Sequence, residues 1–309
     1  MASGSNKAIV AALIANTGIA IAKFVGYVFT GSSSMLAEGI HSVADTINQA
    51  LLLLGGHRSR RDATPQHPFG YGRERYFWAF VVSLILFTLG GLFAIYEGLS
   101  KLSEGGHSID NVGWAMGILI FGMLLEGYSF RTAVKESSLL KGRSGWWQFI
   151  RHSRNPELPV VLLEDFGALV GLVLATVGIS LSALTGDSRW DAYATIAIGL
   201  LLVAIAIVLV IEMKSLLIGE SARESVRRSI VDSIERTDHV ERVIHMRTQH
   251  IGPEELLVAA KVEFDERLSS ENLTEVIDRV EANIRSVTPM ANLIYIEPDF
   301  HESDNSDDG

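Results

Sequence analysis

The residues most able to do chemistry sit where the chain is otherwise apolar. Glu38, His41 and Asp45 fall at i, i+3 and i+7 of one stretch, which puts them on one face of a helix. His41 and Asp45, four apart, can both reach one ion. An imidazole beside a carboxylate suits Zn²⁺ and tolerates Mn²⁺, Fe²⁺ or Co²⁺. A buried ion pair that only locks helices together is the alternative reading. A second acidic group lies in a later apolar stretch, where Glu164 and Asp165 follow Leu158-Pro159. At ~1.5 Å per helical residue, Asp45 and Asp165 sit at comparable depths. His41, Asp45 and Asp165 with one more ligand are therefore expected to form a tetrahedral metal site. Glu164 points about 100° away from Asp165 on a helix. It is either the further ligand, at a distorted turn, or a proton site or a partner for Lys23. The chain has no cysteine, so thiolate ligation and disulfides are excluded.

The elements that hold these residues are long and apolar. Mean hydropathy is +0.27 and 48% of the 309 residues are hydrophobic, in clumps, which marks a membrane protein. Six stretches reach the roughly 20 residues that a helix needs to cross a bilayer. They lie at about 8–29, 36–56, 77–99, 112–130, 158–184 and 191–213. Charge inside such spans is costly and marks an ion path. Glu126 lies near the end of the fourth span, where a loop arginine is its expected partner. Asn16 and Asn48 read as interhelical hydrogen-bonders, and Glu97 and Asp191 as ordinary span-end charges. Arginines and lysines crowd the loops after spans two (Arg58, Arg60, Arg61, Arg73, Arg75) and four (Arg131, Lys135, Lys141, Arg143, Arg151, Arg154). The loops after spans three and five carry only Lys101 and Arg189. The positive-inside rule makes the basic loops cytoplasmic, and with them both termini. The first apolar run reads as a retained span rather than a signal peptide. Trp146-Trp147-Gln148-Phe149-Ile150 is expected to form a short helix, on the membrane surface or packed on the protein.

From Glu220 the pattern changes. Residues 219–309 hold 21 acidic and 10 basic residues, against 15 and 16 in residues 1–218. An acidic half argues against nucleic-acid binding. Residues 221–237 and 269–287 read as helices, the second capped by Ser269 or Ser270. Residues 242–250, 255–265 and 293–296 read as strands. This αββαβ order gives a small α+β, ferredoxin-like domain at 219–298, with an acidic, disordered tail at 299–309.

The run Ser33 to Gln49, with His41 and Asp45 inside it, resembles the signature of the cation diffusion facilitator (zinc transporter) family. His67-Pro68-Phe69-Gly70-Tyr71-Gly72-Arg73 is similar to that family's next landmark. The likeness spans nearly the whole chain. Leu162-Leu163-Glu164-Asp165 resembles the branch with the mitochondrial, nuclear-receptor-coactivator-like zinc transporter and its bacterial relatives. The resemblance implies proton-coupled export of Zn²⁺ or a related cation by alternating access, in a homodimer, with a bacterial plasma membrane as the expected location. It implies no enzyme activity and no prosthetic group, the metal being cargo. It also implies two ligand pairs. His41 and Asp45 match the first; Asp165 matches half of the second, but Val161 stands at the other position, and Glu164 is the candidate replacement. Of the loop site only His67 remains, with Thr64 and Tyr71 at the other positions. In the C-terminal domain His245 matches a ligand, while Lys261, Tyr295 and Glu297 fall where others are expected. His239 and His250 stand nearby, and a domain that dimerises without a zinc cluster is implied. A membrane metal sensor or scaffold that does not transport is the rival function.

Overall fold

The computed structural model describes residues 2–103, 111–143 and 145–299, with side chains from residue 16 onward. Two helices come first, α1 (Ala2–Thr30) and α2 (Ser33–Arg58). The turn between them is short because Gly31 adopts φ 63°, where a side chain would be strained. Its N–H closes α1 on the Tyr27 carbonyl at 2.7 Å. A continuous rod follows from α3 (Glu74–Ile85) through a π-helical segment (Leu86–Leu92) to α4 (Phe93–Ser103). Then come α5 (Val112–Lys141), the short α6 (Trp146–His152), α7 (Glu157–Thr185) and α8 (Arg189–Ile218).

Four of these rods, 74–103, 112–141, 157–185 and 189–218, are long and apolar enough to cross a membrane. Helices α1 and α2 match them in length, at 29 and 26 residues. Helix α2 is less apolar because its buried face carries Glu38, His41, Asp45 and Asn48. Helix α5 runs on to Lys141, well beyond the expected end of the fourth span, so much of the basic loop is helical. Helix α6 buries Phe149 and Ile150 and leaves Trp146 and Trp147 exposed. It both packs on the protein and presents an aromatic edge outward. Arg151 ties it to Glu212 of α8 at 3.0 Å.

Residues 59–73 and 215–299 form a second compact unit. Its helices α9 (Glu224–Glu235) and α10 (Ser270–Val287) lie against a three-stranded sheet of β1 (Val240–Gly252), β2 (Glu255–Phe264) and β3 (Leu293–Pro298). The order is β1-β2-β3, with β1 and β2 antiparallel and β2 and β3 parallel. Along β2, Leu256, Val258, Ala260, Val262 and Phe264 are buried in strict alternation, as a half-buried strand requires. Ile230 and Ile234 of α9 and Val276, Val280 and Ile284 of α10 complete that core at helical spacing. Ser269 caps α10, its hydroxyl accepting from the Asn272 N–H at 3.3 Å. The loop after α2 reaches this unit through Gly72, whose bare Cα lies against Gly252 and Glu255. The tail expected to be disordered lies, from residue 300, outside the described residues.

Candidate metal centre

Helix α2 supplies the floor of the site. Ser34, Glu38, His41, Asp45 and Asn48 follow one another along its buried face. His41 Nδ1 stands 3.6 Å from Asp45 Oδ1. Both ring nitrogens of His41, Asp45 Oδ1 and Asn48 Oδ1 are buried without a hydrogen-bond partner. Such groups are costly to leave unmade, and a cation answers acceptor-rich, desolvated atoms of this kind. The π-helical segment faces the same point. A Cβ on Gly90 would sit 3.8 Å from His41 Nδ1 and 3.2 Å from Leu202 Cδ1, so the glycine lets α8 pack close beside the ring. Isolated π turns inside helices are common at functional positions.

Helix α7 supplies the opposite wall. Glu164 Oε1 accepts from Asn48 Nδ2 at 2.6 Å. Glu164 thereby lies on the side of α7 that meets α2. Asp165 turns another way: its Oδ2 accepts from Ser129 of α5 at 2.8 Å. The structure thus turns Glu164 toward α2 and Asp165 toward α5. Among the described residues, no three His, Asp or Glu side chains close around one point.

Lys23 is fully buried and donates to Glu38 Oε2 at 2.9 Å and to Ser42 Oγ at 2.8 Å. Its partner is therefore Glu38 and not Glu164. Gly171 of α7 makes room for this pair, because a Cβ there would stand 2.5 Å from Glu38 Oε1. Glu126 faces the same buried charges of Lys23 and Glu38 rather than a loop arginine, contrary to its expected pairing. The sequence pattern placed Glu38 on the face of His41 and Asp45 and offered Lys23 as a partner for Glu164, so nothing in it linked Lys23 to Glu38, 15 residues away.

The loop and C-terminal positions are simpler. His67 stacks on Tyr71 with centroids 4.6 Å apart, and Thr64 Oγ1 lies 3.3 Å from Tyr71 Oη, so these residues brace the turn. On the outer face of the sheet, His245, Arg247, Lys261, Tyr295 and Glu297 line a shallow pocket of about 280 Å³. Lys261 fills the ligand position with its own charge. Its Nζ lies 2.7 Å from Asp299 Oδ2 and 3.2 Å from Glu297 Oε1. The hydrogen bonds to Asp299 and Glu297 push its pKa above the usual lysine value. His239 pairs with Asp265 at 3.9 Å and His250 is buried, so neither joins His245 at the pocket.

Residues 9–218 match the cation efflux transmembrane domain. The chain belongs to the cation efflux family. That is the family its second helix resembles, and the chain is a multi-pass membrane protein. Its relatives include the mitochondrial proton-coupled zinc antiporter SLC30A9 of Xenopus laevis, 32% identical across 92% of this chain and 51% of that one. The human SLC30A9 antiporter is 29% identical across 89% and 49%. Metal tolerance protein C4 of Arabidopsis thaliana is 28% identical across 90% and 61%. The chain spans about half the length of the vertebrate relatives it matches. Among solved structures, a nickel-form variant of the MamM CTD is 22% identical over 26% of this chain and all of that one, with a TM-score of 0.25.

Proposed function

We propose that this cation efflux protein exports a divalent cation, with Zn²⁺ as the preferred cargo and Mn²⁺, Fe²⁺, Co²⁺ or Cd²⁺ as alternatives, in exchange for protons. One observation carries the reading: the buried His41–Asp45 pair at 3.6 Å, with ring nitrogens and a carboxylate oxygen left unpartnered between two helices. His41 Nε2 or Nδ1, Asp45 and Glu164 hold the ion, and Asp165 joins when its bond to Ser129 is released. Ligation needs a neutral imidazole and ionised carboxylates, so the ion enters as protons leave. When the site faces the other side, protons return to the carboxylates and displace the metal. The reading makes α1 and α2 spans one and two of six, with both termini on the cytoplasmic side by virtue of the basic loops. It takes a homodimer in a bacterial plasma membrane as the working unit. No step needs an enzymatic nucleophile, a prosthetic group or a nucleic acid.

Purified protein in liposomes, with an internal metal indicator and an internal pH indicator, tests this. Asp45→Ala or His41→Ala is expected to cut flux by more than about 100-fold, beyond what loss of an outer-shell partner costs. Unchanged flux in both variants would sink the site. A non-transporting metal sensor is favoured by one feature, the turn of Asp165 away toward Ser129. Metal binding without flux in the unaltered protein selects that reading.

A further inference from the structure

One buried carboxylate does more than a span-end charge requires. Asp191, in the first turn of α8, is 0% exposed. Its Oδ1 accepts from Ser32 Oγ at 2.9 Å and from Ser34 Oγ. Its Oδ2 accepts from the Ser33 N–H at 2.9 Å, Ser33 Oγ at 3.1 Å and Lys101 Nζ at 2.9 Å. Lys101, near the end of α4, also donates to the Gly31 carbonyl at 3.0 Å. Ser33 Oγ lies 3.1 Å from Thr195 Oγ1, which donates to the Asp191 backbone carbonyl at 2.8 Å. The turn between α1 and α2 is thereby tied to both α4 and α8.

These contacts join two bodies. Helices α4 and α8, with the π-helical segment, interlock through glycines: a Cβ on Gly199 would stand 2.8 Å from the Gly91 carbonyl, and one on Gly98 2.9 Å from that of Ala192. Backbones that close slide little, so α4 and α8 move together. The clasp is their polar tie to α1 and α2 at the end away from the basic loops. At the other end, Arg75 of α3 forks onto Glu157 of α7 at 2.5 and 2.8 Å. The metal side chains lie between the two ends. Ser34 and His41 share the buried face of α2 and are seven residues apart, or about 10 Å. An ion leaving toward that end has to pass the serines. Hydroxyl-to-carboxylate bonds can be exchanged one for one with water, so this junction can open and remake in a way an apolar seam cannot.

We infer that Asp191, held by Ser32, Ser33, Ser34, Thr195 and Lys101, is the latch of the exit gate, a positioning residue that must release and re-form in each transport cycle. This rests on the transport reading above. The chain has no cysteine, so paired cysteines can be placed without background. Ser33→Cys with Thr195→Cys sets two thiols within disulfide range and leaves Asp191, Ser32, Ser34 and Lys101 in place. In proteoliposomes the oxidised double variant is expected to transport at least about 20-fold more slowly than its reduced form, with reductant restoring the rate. Its affinity for Zn²⁺ in detergent should stay within about threefold, since the metal side chains are untouched. Equal rates in the oxidised and reduced forms would show that the junction need not open and would overturn the latch. As an independent measure, Asp191→Asn is expected to slow turnover about tenfold with Zn²⁺ affinity unchanged; wild-type turnover would also overturn it. If the unaltered chain binds Zn²⁺ but moves none, the transport reading falls and takes the latch with it.

Discussion

Two lysines in this protein hold carboxylates at nearly the same distance, and the two clamps are worth very different amounts. Lys23 meets Glu38 at 2.9 Å with neither side chain exposed. Lys261 meets Asp299 at 2.7 Å with both side chains more than a third exposed. In the first, both charges have left water, and removing one strands the other. In the second, solvent screens the pair and rehydrates whatever is freed. The neighbours differ in the same sense. Beside Lys23 lie His41, Asp45 and Asn48 with unpartnered polar atoms. In the other pocket the ammonium itself satisfies the acids around His245. Similar residue types leave unpartnered buried atoms in one place and a self-neutralised cluster in the other, and hydration decides which.

Lys23→Met breaks the comparison hardest. It leaves Glu38 buried and unpaired, and should cost about 3–5 kcal/mol of stability. Lys23→Met with Glu38→Leu should recover most of that loss. Thermal denaturation in detergent, read against Lys261→Met, checks both; the second variant should melt like wild type. Equal melting shifts for the two lysines would mean that burial does not set their value. A smaller effect is expected from Glu164→Gln. The amide keeps the contact with Asn48 but loses the charge facing Asp45, so Zn²⁺ affinity should fall about tenfold. Competition among Zn²⁺, Mn²⁺, Fe²⁺, Co²⁺ and Cd²⁺ measures this. An unchanged order and affinity would remove Glu164 from the ligands. The mildest change sharpens the contrast instead. Lys261→His takes away the tethered cation and sets an imidazole opposite His245, within reach of Glu297 and Asp299. Titration calorimetry on the full chain should then find one added Zn²⁺ site per protomer, and no added site would contradict the view that Lys261 stands in for a metal.

The split between what was and was not legible follows from range. The αββαβ order and the alternation along β2 are written in near neighbours, so pattern alone located them, and it narrowed the cap of α10 to Ser269 or Ser270. His41 and Asp45 were equally plain, because four residues on a helix is a local distance. Glu164 and Asp165 are adjacent in sequence, and spacing could say only that they diverge by about 100°. Asn48 and Ser129, on two other helices, decide which of them faces Asp45. Asp191 looked like an ordinary span-end charge. Its donors, apart from Thr195, come from 90 or more residues away. Three consecutive serines after a turn glycine, and a lone lysine in a loop with no other basic Lys or Arg side chain, were the available signals.

By itself, the sequence determined that this is a membrane protein with an acidic α+β extension and a His–Asp pair four residues apart in its second helix. Those properties rest on hydropathy and on periods of two and 3.6, which a chain carries whatever it packs against. Only the tertiary structure decided that Lys23 pairs with Glu38, that Glu164 rather than Asp165 turns toward α2, that Gly90 of a π-helical segment lies beside His41, and that Asp191 gathers its ring of donors. Each of these depends on which helix faces which. Burial then removes the water that would otherwise satisfy every one of these groups, and leaves each with the partner the packing provides.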